Sequence, residues 1–418
     1  MRIVFVLHQF YPEFSGGTER VVFNLARSVQ RAGHYVHVLA CTMRARARTA
    51  QGVAIHEVYR GIPVTLVPRE HLPAEGDIGF DVAPLVVDEL RDWMRTQRFD
   101  LMHVFHTMRM ASAVLAAQQC GLPYVTTLTD FFTGCYRINA IKASGDACAD
   151  AEQGHACARD CLVPPWTDSS LEQRHQHARA FLQAAGERVV PSEYVARYFR
   201  RTFPDLEWRV VPHGVDFLGL LPIAQAASTT PAAAPADGVG IVTLGYLGAI
   251  IPQKGLRVLL QALARVDAPH LQLRIVGDFS GDPVHQAEIE RLIAADPRVQ
   301  WVGPVAPADV AAELERFDLL CLPSTVPETF SLALHEAATL RIPALVSDLG
   351  APPERIHAQG GGKVVAAGDV VAWAQALGEL AADPTQLRTW RSQIRMPYRM
   401  EEEAFFYESL YRQLVAPK

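Results

Sequence analysis

Two glutamates eight positions apart anchor the run Pro323-Ser324-Thr325-Val326-Pro327-Glu328-Thr329-Phe330-Ser331-Leu332-Ala333-Leu334-His335-Glu336. Eight residues are a little over two helical turns, so Glu328 and Glu336 can face one side of a helix. Backbone N–H groups near Phe330, Ser331 and Leu332 would point out of that helix's N-terminus, where free donors and the dipole favour a phosphate. A carboxylate two turns deeper suits the two hydroxyls of a ribose. The same run also fits a well-capped helix carrying two solvated acids. A second stretch, Gly245 to Gly255, ends in Lys254-Gly255, and Lys254 can neutralise a diphosphate as a point charge or stand as a surface lysine. In a third, Ser15-Gly16-Gly17-Thr18-Glu19, adjacent glycines allow close backbone approach to a ligand or make a flexible turn. It is not GxGxxG and no acid is placed for a dinucleotide ribose, which argues against NAD.

Four of the seven cysteines, Cys135, Cys148, Cys157 and Cys161, fall within 27 residues. In a reducing compartment such a group is more often a metal site than a set of disulfides. Four thiolates suit a structural zinc or a [4Fe–4S] cluster, with His155 as a substitute ligand, although the spacing lacks a C-x2-C knuckle. Free thiols in a loop are the alternative. Cys41, Cys120 and Cys321 sit in apolar contexts and read as core thiols.

These groups need elements to position them. Apolar runs suggest strands at Arg2–His8, Tyr35–Thr42, Ile62–Pro68, Asp100–His106, Pro123–Asp130 and Arg188–Ser192, separated by helical patterns such as Gly17–Ala32. Between residues 222 and 238 ten of 17 are Ala or Pro, which reads as a linker. The alternation then restarts, with strands at Ile241–Gly248, Leu271–Gly277, Val299–Gly303, Asp318–Pro323 and Pro343–Asp348. Helices are expected at Gly255–Val266, Val284–Ala295, Asp309–Arg316 and Asp369–Ala382. This is α/β architecture with two Rossmann-like parallel sheets in series. The expected domains are 1–217, with a Cys-rich insertion at about 133–165, then a linker 218–240, a second domain 241–395, and a terminal helix in 396–418. That helix, about Glu401–Leu414, carries Phe405, Phe406, Leu410 and Tyr411, an apolar surface that must dock somewhere.

The chain has 418 residues, enough for a sizeable core, and 45 acidic against 39 basic residues give a net charge of −6. That balance argues against nucleic acid as a partner. No apolar run reaches the length of a membrane span or signal core, so a cytoplasmic location is expected. The basic run Arg44, Arg46, Arg48 is a solvated loop or a contact for the inner membrane face.

Taken in order, Ser15-Gly-Gly-Thr-Glu19, Pro191-Ser-Glu-Tyr194, Val211-Pro-His-Gly-Val-Asp216, Lys254-Gly255 and the Glu-x7-Glu pair resemble the retaining GT-B glycosyltransferases of family four, a large bacterial group that builds surface polysaccharides. The resemblance spans nearly the whole chain. It implies two Rossmann-like domains facing across a cleft, the terminal helix crossing back to the N-terminal one. It implies transfer of a sugar, hexosyl in type, from a nucleotide-diphosphate donor to a saccharide acceptor, lipid-linked in some members. By matching position, Glu336 holds the donor ribose, Glu328 lies near the donor sugar and Lys254 is on the diphosphate. Thr329, Phe330, Ser331 and Leu332 form the loop whose amides meet sugar and phosphate, and Gly16 and Gly17 form the N-domain phosphate loop. His106, at a strand end, is a further catalytic candidate. No catalytic divalent metal is implied, because a cation and a helix dipole offset the leaving group's charge.

Three positions depart from the family pattern. Ala249 stands where members commonly have Arg. Thr129-Asp130-Phe131-Phe132 stands where many have His-Asp, leaving Thr129 and Asp130 as acceptor-side candidates. Arg341 replaces a glycine of some members. Thr-Asp-Phe-aromatic followed by cysteines resembles one sub-branch more closely. Two rival readings of the chain are a nucleotide-sugar epimerase of the same fold and a non-catalytic nucleotide- or metal-sensing module.

Overall fold

The computed structural model describes residues 1–161, 166–216 and 240–416. Most of the expected 218–240 linker and the last residues of the 133–165 insertion therefore lie outside the described residues. The chain divides into two compact units, one running to Gly214 and resuming at Met400, the other spanning Val215–Arg399.

In the first unit the strands are β1 (Arg2–Leu7), β2 (Tyr35–Thr42), β3 (Ile55–Tyr59), β4 (Ile62–Pro68), β5 (Leu101–Val104), β6 (Tyr124–Thr127), β7 (Glu187–Val190) and β8 (Arg209–Val210). Their order across the sheet is β3-β4-β2-β1-β5-β6-β7-β8. All neighbours are parallel except the edge pair β3–β4. Ile3 to Leu7 are fully buried, as expected of a central parallel strand covered on both faces. The helix Gly17–Arg31 presents Val21, Val22, Leu25, Ala26 and Val29 inward.

The second unit contains β9 (Val242–Leu247), β10 (Leu271–Val276), β11 (Val299–Gly303), β12 (Leu319–Leu322), β13 (Ala344–Ser347) and β14 (Gly362–Val365), in the order β11-β10-β9-β12-β13-β14 and parallel throughout. Helices Leu256–Leu263 and Val370–Ala382 bury Leu259, Leu263, Trp373 and Leu377 on the sheet.

The terminal helix Met400–Val415 belongs to the first unit. Tyr411 Oη lies 2.6 Å from His103 Nδ1, and Tyr407 Oη lies 2.7 Å from Thr127 Oγ1. Fully buried Glu403 accepts the Gly214 N–H at 2.6 Å and meets His213 Nδ1 at 3.2 Å. Leu410 and Tyr411 are buried as expected, with Tyr407 beside them, whereas Phe405 is 74% exposed.

Candidate active site

In the second unit, strand β12 ends at Leu322 and the chain runs through Pro323–Ser331 into the helix Leu332–Thr339. Glu328 is 9% exposed and Glu336 5%, so these are buried acids, not a solvated helix face. Lys254 Nζ lies 3.0 Å from Glu328 Oε1, and the Ser324 hydroxyl also donates to that oxygen. Burial pushes the Glu328 carboxyl up. The Lys254 charge and hydrogen bonds from Ser324, Lys254 and Ser331 outweigh it and hold the group below its ordinary value. Lys254 is placed by a short 3-10 turn, Pro252–Lys254, closed by Gly255 at φ 68°; a Cβ there would overlap the Pro323 carbonyl oxygen. Gly350, at φ 80°, packs so tightly on the Glu328 backbone that a side chain would collide with it, and Ala351 N–H donates to Glu328 O at 2.8 Å. Phe330 stacks on His335 at 3.9 Å and 12°, and His335 Nδ1 lies 2.8 Å from Ser331 O. Thr329 and Phe330 thus lie in the loop and Leu332 opens the helix, which has no side-chain N-cap. Ala249 is exposed, its carbonyl taking the Tyr246 hydroxyl at 2.8 Å, so Lys254 is the cation on Glu328.

In the first unit the candidate residues meet at the carboxyl ends of β1, β5 and β6. Thr18 donates to Thr129 Oγ1 at 3.0 Å, tying the Gly16-Gly17 turn to the end of β6. Gly16 precedes the helix without a side-chain cap, and Gly17 faces open space. His106 is buried with both ring nitrogens engaged. Met108 N–H donates to Nδ1 at 3.1 Å, so the proton sits on Nε2, which pairs with Asp130 Oδ2. Phe132 N–H donates to Asp130 Oδ1 at 2.8 Å. His8 lies with its ring 4.0 Å from that of His106 and its Nε2 4.0 Å from Glu19 Oε1. Burial holds His8 well below its ordinary pKa, with the Arg109 charge adding to it, while burial raises the Glu19 carboxyl.

The expected four-thiol metal site is not shown. Among the described residues no group of three or more His, Cys, Asp or Glu side chains is arranged to hold a metal ion. All four cysteines are free, and Cys157 and Cys161 pack with Tyr136, Ala151 and Leu171 in a small apolar cluster. Burial raises the Cys135 thiol and pushes Cys148 up to about 11 and Cys157 to about 12. Cys148 Sγ donates to Asp150 O at 3.3 Å. The basic run is partnered: Arg44 pairs with Glu57 at 2.9 Å, Arg48 with Glu89 at 2.8 Å, and Arg46 N–H with Glu70 at 2.7 Å. No helix among the described residues is long and apolar enough to cross a membrane.

Reasoning from the sequence missed Ser324, His335, Gly350 and the His8–Glu19 contact. His8 closes the first apolar run, and Ser324 and His335 lie inside the run already singled out. Gly350 carries no such signal.

Two nucleotide-binding-type units, one with a lysine, buried acids and an uncapped helix start at its strand ends, define a glycosyltransferase of the GT-B fold. The family model described as Glycosyltransferase Family 4 matches residues 15–217, and that described as Glycosyl transferases group 1 matches 241–383. The chain is 26% identical over 385 residues to the D-inositol 3-phosphate glycosyltransferase of Xylanimonas cellulosilytica, covering 88% of this chain and 84% of that one. It is 24% identical over 343 residues to the phosphatidyl-myo-inositol mannosyltransferase of Mycobacterium tuberculosis (80% and 75% covered). Among solved structures, sucrose-phosphate synthase from Thermosynechococcus elongatus superposes with a TM-score of 0.71 at 20% identity, over 99% of this chain and 98% of that one. Anabaena HepE in complex with UDP and glucose superposes with a TM-score of 0.64 at 17% identity, over 99% and 95%. The chain belongs to glycosyltransferase family 4, a family of retaining sugar transferases; the epimerase and sensing alternatives give way to transfer.

Proposed function

We propose that the second unit binds a nucleoside diphosphate sugar, with Lys254 on the diphosphate, Glu336 on the ribose hydroxyls and Glu328 on the transferred sugar. The observation that carries this reading is Lys254 Nζ at 3.0 Å from Glu328, beside a helix start with no side-chain cap. When a diphosphate arrives, the lysine can turn to it and the uncapped N–H groups near Ser331 and Leu332 can take a phosphate oxygen. The freed carboxylate then accepts a sugar hydroxyl. As the glycosidic bond breaks, Lys254 and the helix dipole offset the negative charge that grows on the leaving diphosphate. No side chain is assigned as nucleophile.

On the first unit, Asp130 and Thr129 serve as acceptor-side groups. His106 orients Asp130; with both nitrogens engaged it acts through that carboxylate. Gly16 and Gly17 offer bare backbone to an oxyanion. The acceptor is a polyhydroxylated molecule, a saccharide or a cyclitol. The names of the two inositol-linked relatives support including the latter.

Titration calorimetry with UDP, GDP and ADP tests the donor assignment. The preferred nucleotide is expected to bind Lys254→Ala and Glu336→Ala at least about tenfold more weakly than wild type, the loss of one charge-assisted contact in each. Unchanged affinity in both variants would remove the donor from this site. A turnover panel of saccharides and myo-inositol phosphates then separates the acceptor classes.

A further inference from the structure

In the first unit, Arg174 stands in the helix Asp168–Ala184, on the face that helical periodicity turns inward. Leu171, Ala178 and Leu182 are buried on the same face. An apolar side chain would suit that stripe, yet the arginine there is only 6% exposed. Burying a charge is costly unless its donors are met. Nε donates to Ile78 O at 2.5 Å, Nη1 to Thr133 O at 3.4 Å, and Nη2 to Phe132 O. Its carbon Cζ also stands over two aromatic rings, 4.9 Å from the centre of Phe132 and 5.4 Å from that of Phe80. Among the described residues its hydrogen-bond partners are thus main-chain carbonyls, and none is a carboxylate.

Phe132, which the guanidinium holds by carbonyl and ring, is also the residue that fixes Asp130. Its N–H donates to Asp130 Oδ1 at 2.8 Å, while Asp130 Oδ2 pairs with His106 Nε2. The Phe132 ring lies 5.3 Å from the His106 ring at 39°. Both partners of the Asp130 carboxylate therefore bear on Phe132: one is its own N–H, the other an imidazole packed against its ring. Strand β6 ends at Thr127, so the loop that carries Thr129 and Asp130 has no ladder to hold it. It is turned by the N–H groups of Gly134 and Cys135 on Phe131 O, at 3.0 and 2.7 Å, and clamped from the helix by Arg174.

We propose that Arg174 is a positioning residue for the sugar acceptor: from inside the core it clamps the main chain at Phe132 and Thr133, and through Phe132 it sets the Asp130 carboxylate that takes an acceptor hydroxyl. The task asks for an arginine. A planar fork of donors reaches two successive carbonyls and a third on the loop after β4, which the compact ammonium of a lysine cannot do. Buried as it is, Arg174 acts through Phe132 and Asp130 and touches no acceptor itself. The proposal rests on the reading of Asp130 as an acceptor-side group.

The test compares Arg174→Lys, Asp130→Asn and the double variant in the full chain. Kinetics use the fastest pair drawn from UDP-, GDP- and ADP-sugars as donors and saccharides and myo-inositol phosphates as acceptors. Arg174→Lys keeps the charge and loses the fork. Its acceptor KM is expected to rise about tenfold or more, the loss of one charge-assisted contact, with affinity for the matching nucleoside diphosphate within about twofold of wild type. Asp130→Asn is expected to lose about tenfold or more in kcat/KM for the acceptor. The double variant is expected to fall no more than about twofold below Asp130→Asn, because Arg174 acts through that carboxylate. Damage to the fold would instead multiply the two losses. Multiplied losses would overturn the role of Arg174, as would a wild-type acceptor KM in Arg174→Lys with Asp130→Asn impaired; either result leaves the reading of Asp130 standing. Wild-type kinetics in Asp130→Asn would overturn both. Arg174→Met, whose apolar chain fits the inward stripe, carries the same expectations and serves if the lysine variant does not fold.

Discussion

Glu328 is placed as much by backbone packing as by its own hydrogen bonds, and a pair of glycines shows this with opposite signs. Gly350 has φ 80° and no room for a Cβ against the Glu328 backbone, so Gly350→Ala is expected to cost more than about 2 kcal/mol and to weaken donor binding as the 328–331 loop shifts. Gly378 lies inside the helix Val370–Ala382 with open space where a Cβ would stand, so Gly378→Ala is expected to stabilise by about 0.5–1 kcal/mol with donor affinity unchanged. Urea denaturation with nucleotide titration checks both, and a destabilised Gly378→Ala would contradict the helical placement. The Glu-x7-Glu spacing and Lys254-Gly255 were legible in the sequence because each is a short contiguous signal. Gly350 was not, because its meaning depends on a loop about 20 residues downstream folding back onto Glu328.

Among elements, the central parallel strands were legible to within one to three residues at either end, since a strand covered on both faces is a run of apolar residues. The strands that went unread are β3, β8 and β14. β3 is an antiparallel edge with partly exposed residues throughout, β8 has two residues, and β14 follows Gly360-Gly361 with little apolar signal. The terminal helix was legible as a helix and its docking face in part: Leu410 and Tyr411 turn inward, but so does the unread Tyr407, while Phe405 faces out. Tyr411 is fully buried with its hydroxyl on His103 Nδ1, while His103 Nε2 is taken up by Thr127 Oγ1 at 2.7 Å. Tyr411→Phe keeps the ring packing and strands a buried ring nitrogen. It is expected to lower unfolding free energy by about 1–3 kcal/mol, read by urea denaturation, whereas Phe405→Ala on the exposed side should change it by less than about 0.5 kcal/mol. A loss at Phe405 matching that at Tyr411 would mean the helix docks by the other face.

At the scale of the whole molecule, the histidines with depressed pKa sit in the first unit, which gives it a weakness to acid. His8, His37 and His103 are all held neutral there, chiefly by burial. His37 is the clearest case. It is 7% exposed, with Nε2 2.8 Å from Thr65 Oγ1 and Nδ1 3.2 Å from the Tyr35 hydroxyl. Burial lowers its pKa from 6.5 to about 4, and the charges of His56 and Arg2 add to that. The unfolded chain therefore binds a proton at His37 more readily than the folded one. The stability tied to its neutral form is complete above pH 6.5 and drains away as pH falls toward 4. Between pH 6.5 and 5 this one residue accounts for about 2 kcal/mol, at about 1.4 kcal/mol per pKa unit. Melting temperature is thus expected to fall steadily from pH 7 to 5, and His37→Gln, which keeps a polar partner for Thr65 without titrating, should show a shallower fall. The comparison is the slope, so a lower absolute stability of the variant does not disturb it. Parallel slopes for wild type and His37→Gln would show that His37 is not held neutral by the fold.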